Sequence, residues 1–193
     1  MSVYAQVATI RHILEDTDLV PNRRVALDVG AYIGQWTEVM LGHFDRVIAF
    51  EPCHESFAHL MDRCGGNPKL ETYRCAVLDQ HGLVTLVTPI SKKIYSQFAV
   101  PSSQGTGRSI KIDTLDLQVC DLLKVDVEGA ELLALRGAER TIQRCRPVII
   151  VENLRNLCLK HYAIPVDAVN NYLRSLGYKR AFKKRPDVLW QPK

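Results

Sequence analysis

Short apolar runs alternate with longer amphipathic segments along this chain, and that order constrains its fold more than any other feature. The runs are Val25 to Val29, Val47 to Phe50, Leu70 to Val77, Leu122 to Val127 and Val148 to Val151. Between and after them, Gln35 to Leu41, Glu55 to Cys64, Ala130 to Cys145 and Val166 to Leu176 are helical candidates, the last closing on Gly177. Strands alternating with helices predict a parallel sheet with helices packed on its faces, an α/β architecture. An N-terminal helix within residues 1–20 is expected from the spacing of Val3, Val7, Ile10, Ile13 and Leu14. Tyr178 to Phe182 and Val188 to Trp190, joined by Lys183, Lys184, Arg185, Pro186 and Asp187, predict a terminal hairpin. Leu83 to Thr88 and Ser109 to Ile112 bracket a loop rich in Ser, Gly and Pro. Residues 83–112 are therefore expected as an insertion above the sheet, near the functional site.

The 193 residues suit a single domain, 1–193, long enough to bury a substantial core. Polar residues recur every few positions in the N-terminal stretch, which offers neither a signal-peptide core nor a membrane span, so a cytoplasmic protein is expected. The six cysteines, Cys53, Cys64, Cys75, Cys120, Cys145 and Cys158, show no CxxC pair or zinc-ligand rhythm and read as free thiols. A formal net charge of +4 is too modest to argue for a nucleic-acid partner.

The first chemical motif is Asp28-Val29-Gly30-Ala31-Tyr32-Ile33-Gly34, between a strand and a helix. Its glycines allow a sharp turn and leave room for a ligand against the main chain. It lacks the G-x-G-x-x-G of dinucleotide sites, and the Asp28 carboxylate would repel a pyrophosphate. An acid there suits a ligand bearing an ammonium group and no phosphate, which describes S-adenosylmethionine. Glu51 ends the next strand, where an acid can accept hydrogen bonds from both ribose hydroxyls, and Pro52 then closes that strand. Nicotinamide-dependent enzymes also use an acid at this place. Glu51 therefore supports adenosine binding in general, and Asp28 with Tyr32 favours the sulfonium cofactor.

The second constellation is Lys124-Val125-Asp126-Val127-Glu128-Gly129-Ala130-Glu131. Strand alternation would place Asp126 and Glu128 on one side, at the carboxyl-end crevice where open α/β sheets bind ligands. Gly129 supplies the turn, and Glu131 suits the start of the following helix.

The strings Leu27 to Gly34, Ala49-Phe50-Glu51-Pro52, Thr114-Leu115-Asp116, Leu123 to Glu131 and Pro147 to Glu152 resemble the FkbM family of methyltransferases. The resemblance runs in order from about Val25 to Glu152. It implies a Rossmann-like class I fold with a mostly parallel seven-stranded sheet, S-adenosyl-L-methionine as donor, and O-methylation of a sugar or other hydroxyl. By the same resemblance, Asp28, Gly30, Gly34 and Glu51 carry over as cofactor contacts, and Ala31, Tyr32 and Pro52 beside them are expected to join the cofactor site. Ala76, Val77 and Asp79 match the segment beside the adenine. Tyr32 departs from the Asn usual in that turn.

An alcohol needs a general base or a metal to become a nucleophile at neutral pH. Asp126 and Glu128 are the candidate bases. Asp126, Glu152 and Asn153 offer an alternative set of hard oxygen ligands for Mg²⁺. The implied partner is a small-molecule or glycan acceptor. An oxidoreductase of nicotinamide type and a non-catalytic cofactor-binding module remain as alternatives. His54 and His59, five apart on a predicted helix, have the wrong spacing for paired ligands. His161 and Tyr162 fall where a segment can cover the acceptor, as can Ser96 and Gln97 of the insertion. Lys179, Arg180, Lys183, Lys184 and Arg185 read as a solvated hairpin tip.

Overall fold

The computed structural model describes residues 10–16, 18–87, 98–152, 160–165, 167–184 and 187–193. Helix α1 spans 10–15 and buries Ile10, Ile13 and Leu14. Then come β1 (Val25–Val29), α2 (Gln35–Leu41), β2 (Arg46–Phe50), α3 (His54–Cys64), β3 (Leu70–Tyr73), β4 (Ala76–Val77), β5 (Gly82–Val87), β6 (Phe98–Pro101) and β7 (Gly107–Ile110). A 3-10 turn (Ile112–Leu115) precedes β8 (Leu122–Val125), α4 (Glu131–Arg136), α5 (Glu139–Cys145) and β9 (Val148–Glu152). The chain closes with α6 (Ala168–Ser175), β10 (Tyr178–Lys184) and β11 (Asp187–Pro192).

Seven strands form the main sheet in the order β10-β11-β9-β8-β1-β2-β3. The five inner and early strands run parallel, and β11 enters antiparallel to both β9 and β10. Helices cover both faces, as the alternation of each strand shows. Leu27, Val29, Ile48, Phe50, Leu123 and Val125 join Leu135, Ile142 and Leu173 on one side. Ala26, Val47, Ala49, Leu122 and Ile150 join Ile10, Met40 and Leu60 on the other. Because successive side chains point to opposite faces, the second row continues into Asp28 on β1, Lys124 on β8 and Glu152 on β9. The apolar face covered by α1, α2 and α3 therefore turns polar at the carboxyl ends of its strands.

Three expectations need correction. The run Leu70 to Val77 is not one strand: β3 joins the main sheet, whereas β4 pairs with β7 in a second sheet ordered β4-β7-β5-β6. The segment Ala130 to Cys145 is two helices broken at Gly137, where a Cβ would stand 2.0 Å from the carbonyl oxygen of Leu78. Strand β8 stops at Val125, so Asp126 and Val127 lie in the loop beyond it. The second sheet packs through Val84 and Ala99 on Ala130, with Val127 and Tyr162 against the same cluster, and so stands beside that loop.

Candidate active site

The turn after β1 is held from two sides. The N–H groups of Gly30 and Ala31 both donate to the Phe50 carbonyl, at 3.0 and 2.9 Å, tying the turn to the end of β2. Gly30 and Gly34 have φ of 78° and 82°, and Tyr32 between them has φ of 52°, a conformation in which a non-glycine residue is strained. The room expected for a ligand at Gly30 is filled by the chain itself: a Cβ there would lie 1.8 Å from the Asp126 carbonyl oxygen. At Gly34 it would meet Leu60 Cδ1 at 2.8 Å. These glycines let the loop after β8 and helix α3 close on the turn.

Glu51 faces this turn. Its Oε2 accepts from the Tyr32 N–H at 2.9 Å and its Oε1 from the Cys53 N–H at 2.8 Å. Burial pushes its pKa up to about 7, against the lowering effect of those two backbone donors. Ala31 is buried and Pro52 half-buried beside it. Ala76 and Val77 are buried on β4, and Asp79 is half-buried just beyond.

Sequence reasoning missed Lys124. Its ammonium is buried inside the site, 2.6 Å from the Gly30 carbonyl, 3.1 Å from Asp28 Oδ1 and 3.6 Å from Asp126 Oδ2, with the Trp36 ring centroid at 5.7 Å. Burial works against the charged form, but Asp28 and then Asp126 outweigh it, and the pKa is raised. Asp28 is fully buried, and its Oδ2 accepts from the Thr37 hydroxyl at 2.6 Å. The ammonium that Asp28 meets is thus the protein's own, which differs from the expected direct contact with a ligand. The signal was a lysine two residues before Asp126 in an otherwise apolar strand.

Asp126 remains partly open, its side chain 24% exposed. Its charge acts on Glu152, whose pKa is raised by burial and then by Asp126 and Glu128. Glu128 sits in the turn at φ of 54°, not on the strand, so alternation does not govern where it points. Glu131 is buried, and its Oε1 accepts from the Gly129 N–H at 2.9 Å, which fixes the loop that carries Asp126. Asp187, opposite Glu152 in the sheet, has its pKa raised to about 6 by burial and then by Asp126.

The second sheet meets His161 and Tyr162 beside this loop. The His161 ring packs on Phe98 with centroids 3.9 Å apart, and the Tyr162 hydroxyl donates to the Ala99 carbonyl at 2.9 Å. His54 and His59 are exposed on α3. Arg180 stacks on Trp190 rather than extending freely, its guanidinium carbon 5.4 Å from the ring centroid. Among the described residues no group of three or more His, Cys, Asp or Glu side chains could hold a metal ion. Ser96, Gln97, Asn153, Cys158 and Arg185 lie outside the described residues. No described helix is long and apolar enough to cross a membrane.

A sequence model of the FkbM methyltransferase domain matches residues 28–180, which takes in the glycine turn, Glu51, Lys124 and every acid above except Asp187. The chain belongs to the FkbM methyltransferase family. No curated protein matches it by sequence. Methyltransferase FkbM from Methylobacillus flagellatus KT superposes with a TM-score of 0.55 at 20% identity, over 88% of this chain and 43% of its own. This FkbM-family chain thus spans less than half the length of that relative. Magnesium protoporphyrin IX methyltransferase from Synechocystis PCC 6803, solved with bound SAM, gives a TM-score of 0.56 at 11% identity over 98% of this chain and 79% of its own. The N-methyltransferase NodS from Bradyrhizobium japonicum WM9, in complex with S-adenosyl-L-homocysteine, gives 0.51 at 10% over 96% and 85%. These similarities show the fold, a Rossmann-like class I methyltransferase architecture.

Proposed function

We propose that this chain is an S-adenosylmethionine-dependent O-methyltransferase acting on a hydroxyl of a sugar or other small molecule. The observation that carries the reading is contact between the two halves of the site. Gly30 of the first turn backs onto the Asp126 carbonyl, and the Lys124 ammonium joins the Gly30 carbonyl to the Asp126 carboxylate. A donor held at the first turn and an acceptor held at Asp126 are thereby neighbours, and positioning of this kind contributes much of the rate in a displacement reaction.

The residues present fit the cofactor. Glu51 spends one acceptor position of each oxygen on a backbone N–H. A carboxylate offers about four such positions, so about two remain for the ribose hydroxyls. Ala31, Tyr32 and Gly34 line the turn along which the amino-acid end would lie, and Ala76, Val77 and Asp79 flank the adenine side. Asp28 contributes as a positioning residue, through Lys124 and Thr37. When bound, the cofactor supplies an electrophilic methyl group on sulfur. Asp126 would take the proton of the acceptor hydroxyl while the hydroxyl oxygen takes the methyl group, whose bond to sulfur breaks so that S-adenosylhomocysteine leaves. Glu128 lies close enough to raise the Glu152 pKa and is the second candidate base.

The test is methyl transfer from labelled cofactor to a panel of glycans and small alcohols, with EDTA and Mg²⁺ arms. Transfer to a hydroxyl with no response to chelator supports Asp126 as a metal-free base. Activity lost in EDTA and regained with Mg²⁺ would replace that base with a metal at Asp126 and Glu152. Transfer confined to nitrogen or to nucleic acid would overturn O-methylation while leaving the cofactor site standing.

A further inference from the structure

Beyond Asp126 the acids continue sideways across the sheet. Val125 of β8 pairs with Val151 of β9, so Asp126 and Glu152 follow at the same level, and Glu152 pairs with Asp187 on β11. Directly opposed residues in a sheet share a face, which brings these carboxyls into one row. Beside this row stands the Lys124 ammonium, already divided between Asp28 and Asp126. It acts on Glu152 and Asp187 as well, but among the described residues neither of these two acids forms an ion pair with it or with another cation. A second, independent observation lies at the far end. Asp187 is only 6% exposed, yet its Oδ2 has no hydrogen-bond partner among the described residues. A buried acceptor left without a donor is costly, and such groups in native proteins call for an explanation.

The row is not a chelating cage, since the described acids do not converge as metal ligands do. Acceptors spread along a strand-end row instead match a compact donor with several N–H groups, and an alkylammonium carries three. We infer that the acceptor side of the site binds an ammonium group through Glu152 and Asp187, with a neighbouring hydroxyl of the same molecule placed at Asp126. The acceptor class is then a vicinal amino alcohol, of which an amino sugar is one form. This assignment rests on the methyltransferase reading for the role of the hydroxyl, but the ammonium subsite is testable by itself.

The experiment measures binding to the full chain, with and without S-adenosylhomocysteine, by saturation-transfer NMR and thermal shift. The probes are matched sets: glucosamine, glucose and N-acetylglucosamine, and trans-2-aminocyclohexanol beside trans-cyclohexane-1,2-diol. The amino member of each set should bind at least about tenfold more tightly than its neutral counterparts, which corresponds to about 1.4 kcal/mol. Asp187→Asn should erase that preference and leave S-adenosylhomocysteine affinity within about twofold, and Glu152→Gln should reduce the preference in the same direction. Equal binding across the sets, no binding of any amino member, or a preference that survives in Asp187→Asn would overturn the subsite. Mg²⁺ binding that disappears in Asp187→Asn, without amine preference, would overturn it in favour of a metal. Absent S-adenosylhomocysteine binding with intact amine preference would instead sink the cofactor reading and spare the subsite.

Discussion

Glu51 couples cofactor binding to pH in a way that the structure fixes in sign. Burial raises its pKa from an ordinary 4.5 to about 7, so ionising it inside the folded chain costs about 3 kcal/mol. A carboxyl with a raised folded pKa withholds stability as pH climbs. The unfolded chain ionises first, so this contribution is complete below about 4.5 and is lost as pH rises through about 7. Two ribose hydroxyls donating to the carboxylate favour its ionised form, and binding should therefore release a proton below pH 7. If only the ionised form binds, S-adenosylhomocysteine affinity should rise up to about 30-fold between pH 5.5 and pH 8 and level off above pH 7. Isothermal titration in buffers of differing ionisation enthalpy reads both the affinity and the proton. Glu51→Gln should flatten the profile and weaken binding at pH 8 by about 1–3 kcal/mol, converging on the wild type at pH 5.5. A flat wild-type profile, or the same slope in Glu51→Gln, would refute the placement of the ribose on Glu51.

Lys124→Met should destabilise the fold by about 3–5 kcal/mol in urea unfolding, because it strands the buried Asp28 carboxylate; adding Asp28→Asn should recover most of that loss. Gly30→Ala should cost roughly 2–4 kcal/mol, from its positive φ and the collision with the Asp126 carbonyl, and a stability change under 1 kcal/mol would show that the two loops are not in contact as described. Asp126→Asn should lower turnover by about 10²–10⁴-fold while leaving cofactor affinity nearly unchanged, checked by single-turnover assay beside a binding titration. If affinity falls instead and turnover at saturation holds, Asp126 belongs to cofactor binding.

Strands β1, β2, β8 and β9 were legible because burial on both faces makes each of them a mostly apolar run, and Gly30, Gly34 and Glu51 were legible because they follow the ends of such runs. What lay hidden depends on contacts between distant segments. The departure of β4 from the main sheet is decided by its pairing of Ala76 with Ser109, more than thirty residues away in sequence. The helix break at Gly137 follows from the approach of the Leu78 carbonyl, which no local pattern announces. Lys124 was visible as a residue, but its role comes from register, since Asp28 and Lys124 are partners across β1 and β8. Asp187 read as part of a hairpin tip, and only the antiparallel entry of β11 beside β9 sets it opposite Glu152.

A crystal structure of this chain with S-adenosylhomocysteine tests the central claim most directly. The account predicts both ribose hydroxyls within hydrogen-bond distance of Glu51, the amino-acid end along the turn from Gly30 to Gly34, and the sulfur turned toward Asp126. A ligand seated elsewhere, or a site that takes NAD and ignores S-adenosylhomocysteine, would contradict it.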